Sequence, residues 1–261
     1  MGQPKRKEKL AEPPAPEEVK ADGGEAGVER WQKPKPLSPK GWAVLAMVVL
    51  AVNLPLIHYY LFRGEMEATV SLPYSDDFSN PATVRNNYWS TGGYWRVVNG
   101  ELLSPGVKNN PLWLKAKLPQ NVAVEFDVRS MSPEGDVKVE IFGDGSDHAS
   151  GYVLIHGGWN NSLSIIARLD EHGVPLSRLK TGELKKGTRM RVEASPYRVE
   201  LGRKYRWRIE RRGSLLTWHI DGQKFMEFDD PFPLAGKGHD RFGFSSWEAQ
   251  LYFDNFKVEP L

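Results

Sequence analysis

Beyond Leu72 apolar and polar residues alternate with a period of two rather than 3.6. Val122, Val124, Phe126 and Val128 interleave with Ala123, Glu125, Asp127 and Arg129, and Tyr205, Trp207 and Ile209 interleave with Arg206, Arg208 and Glu210. Leu216, Trp218 and Ile220 form a third such row. A period of two puts alternate side chains on opposite faces of an extended chain, so these runs predict half-buried strands. Asn99-Gly100 separates Trp95–Val98 from Glu101–Ser104, and Asp221-Gly222 separates Leu215–Ile220 from Gln223–Phe228. Both dipeptides suit type I′ turns, which need positive φ at both central residues. Arg212-Gly213 and His172-Gly173 give weaker hairpin signals. About twelve short strands without a helical run predict an all-β fold over residues 74–261, a two-sheet antiparallel β-sandwich or jelly roll.

The pattern changes ahead of that domain. Gly41 to Phe62 contains no Asp, Glu, Lys or Arg. As a helix it would be about 33 Å long, enough to cross a bilayer core. Trp42 at one end and Tyr59 and Tyr60 at the other suit the membrane interfaces. Arg30, Lys33, Lys35 and Lys40 precede the segment while Arg63, Glu65 and Glu67 follow it, and this bias predicts a single-pass signal-anchor with the N-terminus cytoplasmic and the C-terminal domain outside the cytoplasm. Residues 1–40 hold seven of the 19 prolines and almost no large apolar side chains. They read as a disordered cytoplasmic tail, and residues 63–73 as a linker.

Composition narrows the function classes. Thirty-five Lys and Arg against 33 Asp and Glu leave a net charge of +2, which argues against a nucleic-acid partner held by a basic face. With no cysteine in 261 residues, disulfides, thiolate metal sites and cysteine nucleophiles are excluded. No zinc spacing, nucleophile elbow or phosphate-cradling loop occurs.

Asp76-Asp77-Phe78, the run Tyr94 to Leu102, Trp207-Arg208-Ile209, Ile220-Asp221-Gly222, Arg241 to Phe244 and Phe253 to Val258 resemble the corresponding stretches of concanavalin A-like (laminin G-like) jelly rolls. The resemblance is nearest to their 3-keto-disaccharide hydrolase branch and covers residues 74–260. It implies a jelly roll facing the periplasm of a Gram-negative cell. It does not fix an activity, because one fold hosts many functions.

Several side chains are candidates for chemistry. Gly151 to Ser162 leads a strand through Gly157-Gly158 into Trp159, Asn160 and Asn161, an aromatic platform beside planar amides as sugar binding requires. His156, Arg168 and Trp247 are expected on the same sheet face as ligand-binding residues. The alternative is that Trp159 covers a sandwich edge and the glycines and asparagines build a turn.

Relatives of the fold that cleave glycosides carry Glu-x-Asp-x-x-Glu on one strand. Here Glu125-Phe126-Asp127-Val128-Arg129-Ser130 lacks the last acid, and Glu125 and Asp127 are expected to pair with Arg129 and with Lys138 on a solvent face. A catalytic pair would have to form across strands from Glu140, Asp170, Glu171 or Glu248. No cofactor is called for. A structural calcium is the one metal the residues suggest, at Asp76, Asp77 and Asp254 or in the loop with Asp144, Asp147 and His148. Arg198, Arg203, Lys204, Arg206, Arg208, Arg211 and Arg212 read either as a solvated outer face or as a basic patch for an acidic partner.

These readings converge on a membrane-anchored, extracytoplasmic module for a carbohydrate or an envelope protein. A glycoside hydrolase or lyase acting on a modified disaccharide is the alternative, and a non-catalytic structural subunit of an envelope complex the second.

Overall fold

The computed structural model describes residues 35–62, 66–194 and 197–261. The chain divides into two compact units, Met1–Arg63 and Gly64–Leu261. In the first, helix α1 spans Pro39–Phe62 and includes Pro55. Ser38 Oγ caps its first turn by accepting from the Gly41 N–H at 3.1 Å, and Asn53 Nδ2 donates to the Val49 carbonyl at 2.7 Å, which satisfies the amide within the helix. Pro39–His58 has a mean hydropathy of 1.9 and is long and apolar enough to cross a membrane. The tail expectation for residues 1–34 and the Tyr59 and Tyr60 side chains lie outside the described residues.

The second unit is the two-sheet sandwich that the alternation predicts. One sheet contains β1 (Tyr74–Asp76), β3 (Arg96–Val98), β4 (Glu101–Pro105), β6 (Val122–Ser130), β12 (Lys204–Arg212), β13 (Leu215–Ile220), β14 (Gln223–Asp229) and β16 (Gln250–Pro260). Their order is 14-13-12-6-16-4-3, with β1 also on β16. The other sheet contains β2 (Tyr88–Ser90), β5 (Leu112–Leu114), β7 (Val137–Gly143), β8 (Tyr152–Gly157), β9 (Leu163–Arg168), β10 (Val174–Pro175), β11 (Met190–Ala194) and β15 (Arg241–Ser245), ordered 10-11-9-8-7-15-5-2. The β10–β11 pair is parallel and the others are antiparallel. Residues 66–73, expected as a linker, lie against this unit: the Val70 N–H donates to the Lys115 carbonyl at 2.9 Å, and Arg241 Nη2 donates to the Met66 carbonyl at 2.8 Å.

Both I′ hairpins form, with φ of 53° and 78° at Asn99-Gly100 and 51° and 79° at Asp221-Gly222. Arg212 pairs with Leu215, so the next hairpin turns on Gly213-Ser214, one residue later than predicted. His172-Gly173 makes a turn but no hairpin. Between the sheets Phe126, Phe244, Phe253 and Phe256 pack at ring separations of 4.6–5.9 Å, and Trp207 meets Trp218 at 4.4 Å.

Two predicted surface features turn inward. Arg168 shares the core-facing parity of Ile166 and is fully buried. Its Nε donates to Asp230 Oδ2 at 2.7 Å, and its Nη atoms donate to the carbonyls of Thr188, Lys186 and Phe232. Tyr152 donates to the same carboxylate oxygen at 2.6 Å. Arg168 is therefore a strut of the core, not a ligand-binding residue. Arg211 is likewise buried, its guanidinium 4.1 Å from the Phe142 ring. Of the remaining arginines of the basic stretch, four face acids: Arg203 pairs with Glu200 and Asp221, Arg206 with Glu125 and Asp127, Arg208 with Glu125, and Arg212 with Glu210. Arg129 pairs with Glu101 at 2.5 Å, while Lys138 sits in the opposite sheet, so the expected pairing of Lys138 with Glu125 and Asp127 does not form.

Removing one member of a buried ion pair strands the other charge, at a cost of about 3–5 kcal/mol. Asp230→Ala is expected to lose that much in urea unfolding, and a loss below about 1 kcal/mol would show that the pair is not a strut.

Candidate functional site

The outward face of the β7–β8–β9–β15 sheet is covered rather than open. Trp113, Lys138, Glu140, Val153, Ile155, Ile165 and Ala167 point to this side, yet all are buried. Trp113 lies over Gly143 and Gly243, where a Cβ would come within 2.4 and 2.8 Å of its ring, so glycine is required under the indole. The loop from Asp144 to Ser150 folds back over Glu140: His148 Nδ1 stands 2.6 Å from Glu140 Oε1, and the Ala149 N–H donates to Oε2 at 2.8 Å. The turn after β9 folds back too, bringing Glu171 Oε2 to 3.0 Å from Lys138 Nζ and 3.5 Å from His148 Nε2.

Beside this cover a cleft of about 580 Å³ remains, lined by Asn109, Glu134, Asp136, Lys138, Ile155, Trp159, Asn160, Glu171, His172, Trp247, Glu248 and Ala249. Lys138 Nζ donates to Asn109 Oδ1 at 2.9 Å and to Glu171 Oε2, and it lies 3.8 Å from Asp136 Oδ2. Asp136 Oδ2 also accepts the Trp247 N–H at 2.6 Å. Trp159 and Trp247 are 39% and 48% exposed, so two indoles stand half in water at the cleft. Such amphipathic platforms, next to convergent polar groups, are what a saccharide ring needs.

Backbone strain concentrates here. Asn109, Asp136, Trp159, Asn160 and Glu248 have φ between 48° and 59°, so five of the twelve lining residues occupy the left-handed region. Asn and Asp tolerate that region, but Trp159 at φ 50° and Glu248 at φ 59° are outliers that persist only when their surroundings enforce them. Asn161 supplies much of that enforcement: its Oδ1 accepts the Val199 N–H at 2.7 Å, and its Nδ2 donates to the Val199 and Pro133 carbonyls at 2.7 and 3.3 Å. Gly157 precedes it at φ 68°, where a Cβ would approach Asn161 Oδ1 to 2.4 Å.

The ionisable groups are unevenly set. Burial pushes the Asp136 carboxyl up to about 6 against the pull of Lys138 and the Trp247 N–H. Burial also acts on Glu171, but hydrogen bonds from His148 and Lys138 outweigh it and hold that carboxyl at about 2. His148 loses hydration, yet Glu140 and Glu171 raise it to about 9.

Of the residues predicted from sequence, Trp159, Asn160, Trp247, Glu171 and Glu248 meet at this cleft. Asn161 clamps its loop instead of facing it. His156 has the parity of Leu154 and is buried in the core, stacked on Tyr197 at 5.1 Å and edged by Tyr205 at 5.3 Å. Burial lowers its ring to about 4, so it is a neutral core residue and not the ligand contact expected. Glu140 is sealed under His148, and Asp170 caps the His172 N–H at 2.9 Å away from the cleft.

The strands carrying Asp76 and Asp254 are paired, as β1 on β16. However, Asp76 accepts from the Phe78 N–H and from the Tyr74 and Tyr88 hydroxyls, Asp77 from the Ser79 N–H, and Asp254 faces Lys204 at 3.6 Å. Asp144 Oδ1 accepts the Ser146 and Asp147 N–H groups. Among the described residues no group of three or more His, Cys, Asp or Glu is placed to hold a metal ion. Asn109, Glu134, Asp136, Lys138 and His172 were not singled out for this role by the sequence.

No family model matches the chain. An extracellular exo-alpha-L-arabinofuranosidase of Streptomyces chartreusis is 26% identical over 160 residues, which is 61% of this chain and 17% of that enzyme. The chain therefore spans about a sixth of the curated relative it matches. Among solved structures, the Crh5 transglycosylase in complex with NAG superposes with a TM-score of 0.50 at 13% identity, covering 75% of this chain and 86% of that one. The carbohydrate-binding module CBM66 from Bacillus subtilis has a TM-score of 0.48 at 13% identity over 66% of this chain and 95% of that one. The superposition on the transglycosylase is a likeness of fold.

Because the folded chain keeps a proton on His148 to higher pH than the unfolded chain, its stabilisation is complete below about 6.5 and is lost as pH rises through about 9. Stability is expected to fall by roughly 3 kcal/mol across that window in the full-length chain, and His148→Asn is expected to flatten the decline. Parallel pH profiles for the two proteins would contradict this.

Proposed function

We propose that the chain is a glycan-binding protein whose site is the Trp159–Trp247 cleft. The observation that carries this reading is the left-handed backbone of Trp159: the fold holds a bulky residue in a costly conformation and leaves its indole half in water. A residue that served only packing would be free to relax or to be glycine. The arabinofuranosidase that the chain resembles in part acts on the same chemical class of ligand. The apolar length of α1 and the basic bias ahead of it support a single-pass anchor with the sandwich on the far, extracytoplasmic side of the membrane.

The test is a glycan array probed with the full-length chain in detergent. Trp159→Ala and Trp247→Ala are each expected to weaken the captured glycan by about tenfold or more, as loss of an aromatic anchor does, with melting temperatures close to wild type. Binding unchanged in both variants, or no glycan captured at all, would overturn the assignment.

A second reading, hydrolysis, is favoured by one observation: Asp136 and Glu171 flank the same ammonium, yet one titrates at about 6 and the other at about 2. Two carboxyls driven apart in this way suit a general acid and a permanently ionised partner. The substrates to try are an aryl α-L-arabinofuranoside, by the partial likeness to the arabinofuranosidase, and a 3-keto-disaccharide, by the resemblance in sequence. Turnover abolished by Glu171→Gln would establish catalysis, whereas equal inactivity of wild type and variant would leave binding alone.

A further inference from the structure

We infer that the cleft selects glycans carrying a free primary amine, such as de-N-acetylated amino sugars, over neutral and acidic glycans. The inference rests on the glycan-binding reading and names the class of ligand.

Its basis is a local imbalance of charge. Four carboxylates, Glu134, Asp136, Glu171 and Glu248, line the cleft with a single lysine, Lys138, and the imidazole of His172. Two of the four already have close cations: Lys108 lies 2.6 Å from Glu248, and Lys138 and His148 lie 3.0 and 3.5 Å from Glu171. Asp136 has only the more distant approach of Lys138 at 3.8 Å. Its Oδ1 accepts no hydrogen bond among the described residues, although the residue is only 8% exposed. Glu134, at the exposed rim, pairs with no cation among the described residues.

The cleft is thus short of positive charge beside Asp136. A buried carboxylate with an open acceptor gains more from a charged donor than from a hydroxyl, because charge-assisted hydrogen bonds are roughly twice as strong as neutral ones. A ligand carboxylate or sulfate at the same place would add like charge in a poorly hydrated site.

The aromatic walls offer the sugar ring a stacking surface and leave the ammonium to the carboxylates. The Arg191 guanidinium lies 5.8 Å from the Trp159 ring centre and the Lys108 ammonium 6.0 Å from that of Trp247, so the indoles already hold protein cations and are left to stack on an apolar C–H face. An amino sugar would present its C–H face to an indole and its ammonium to Asp136. Burial raises Asp136 to about 6, and an arriving ammonium would favour its ionised form against the opposing field of Glu171, with Lys138, His148 and His172 as the cations and potential cations nearby.

The experiment is calorimetric titration of the full-length chain in detergent at pH 6.5 and low salt. The probes are the β-1,4-linked glucosamine tetramer, its fully N-acetylated counterpart, tetragalacturonate and spermine. The amine tetramer is expected to bind about tenfold more tightly than the N-acetylated one, with no detectable binding of tetragalacturonate. Asp136→Asn should bring the ratio of the two tetramers close to one. Glu134→Gln, at an exposed position, should reduce it even if the Asp136 variant fails to fold.

A ratio of one or below in the wild type would overturn the amine selectivity and leave the glycan reading standing. Spermine binding as tightly as the amine tetramer would overturn the selectivity in favour of simple cation capture. If none of the oligosaccharides binds and the glycan array is also blank, the glycan reading itself falls.

Discussion

The ammonium of Lys138 is the charge around which the cleft is organised. It is buried on the outward face of a sheet, a costly position for a lysine unless every partner is in place. Those partners come from three separate connections: Asn109 after β4, Asp136 ahead of β7, and Glu171 after β9. One cation thereby draws three loops to the same point and sets the floor of the cleft. From Glu171 the chain of contacts continues through His148 to Glu140, which pins the loop that covers the rest of the face.

The cleft's walls depend on a different constraint. Trp159, Asn160 and Glu248 hold left-handed backbone because neighbouring groups leave no other path: Asn161 is clamped to Val199, Gly157 is confined by that clamp, and Gly106 passes so close to the Glu248 carbonyl that a Cβ would come within 2.7 Å of it. Polar floor and aromatic walls are therefore fixed by separate parts of the structure. This is preorganisation, which lowers the ordering cost of binding.

The sandwich was legible in the sequence because a period of two survives wherever one strand face meets the core. Tyr205, Trp207 and Ile209 are buried and Arg206, Arg208 and Glu210 stand on the outer side, as the alternation requires. The same rule, applied to single residues, would have placed His156 and Arg168 inside, since they share parity with Leu154 and Ile166. Their polarity suggested a surface, but parity prevailed because aromatic neighbours desolvate the one and Asp230 with three carbonyls satisfies the other. The cleft was half legible. The Gly-Gly break announced Trp159, but Lys138 and Asp136 look like ordinary solvent-face residues until loops distant in sequence fold back over them. No local pattern encodes that return, since it depends on contacts between Glu171, His148 and Lys138 across 33 positions at most.

The most direct test follows the indole N–H resonances of the 15N-labelled full-length chain while the glucosamine tetramer is added. The account predicts that the Trp159 and Trp247 signals shift together and saturate, while those of the buried residues Trp95, Trp113, Trp207 and Trp218 remain in place. Saturable binding that leaves Trp159 and Trp247 unmoved would put the glycan elsewhere on the molecule and contradict the account.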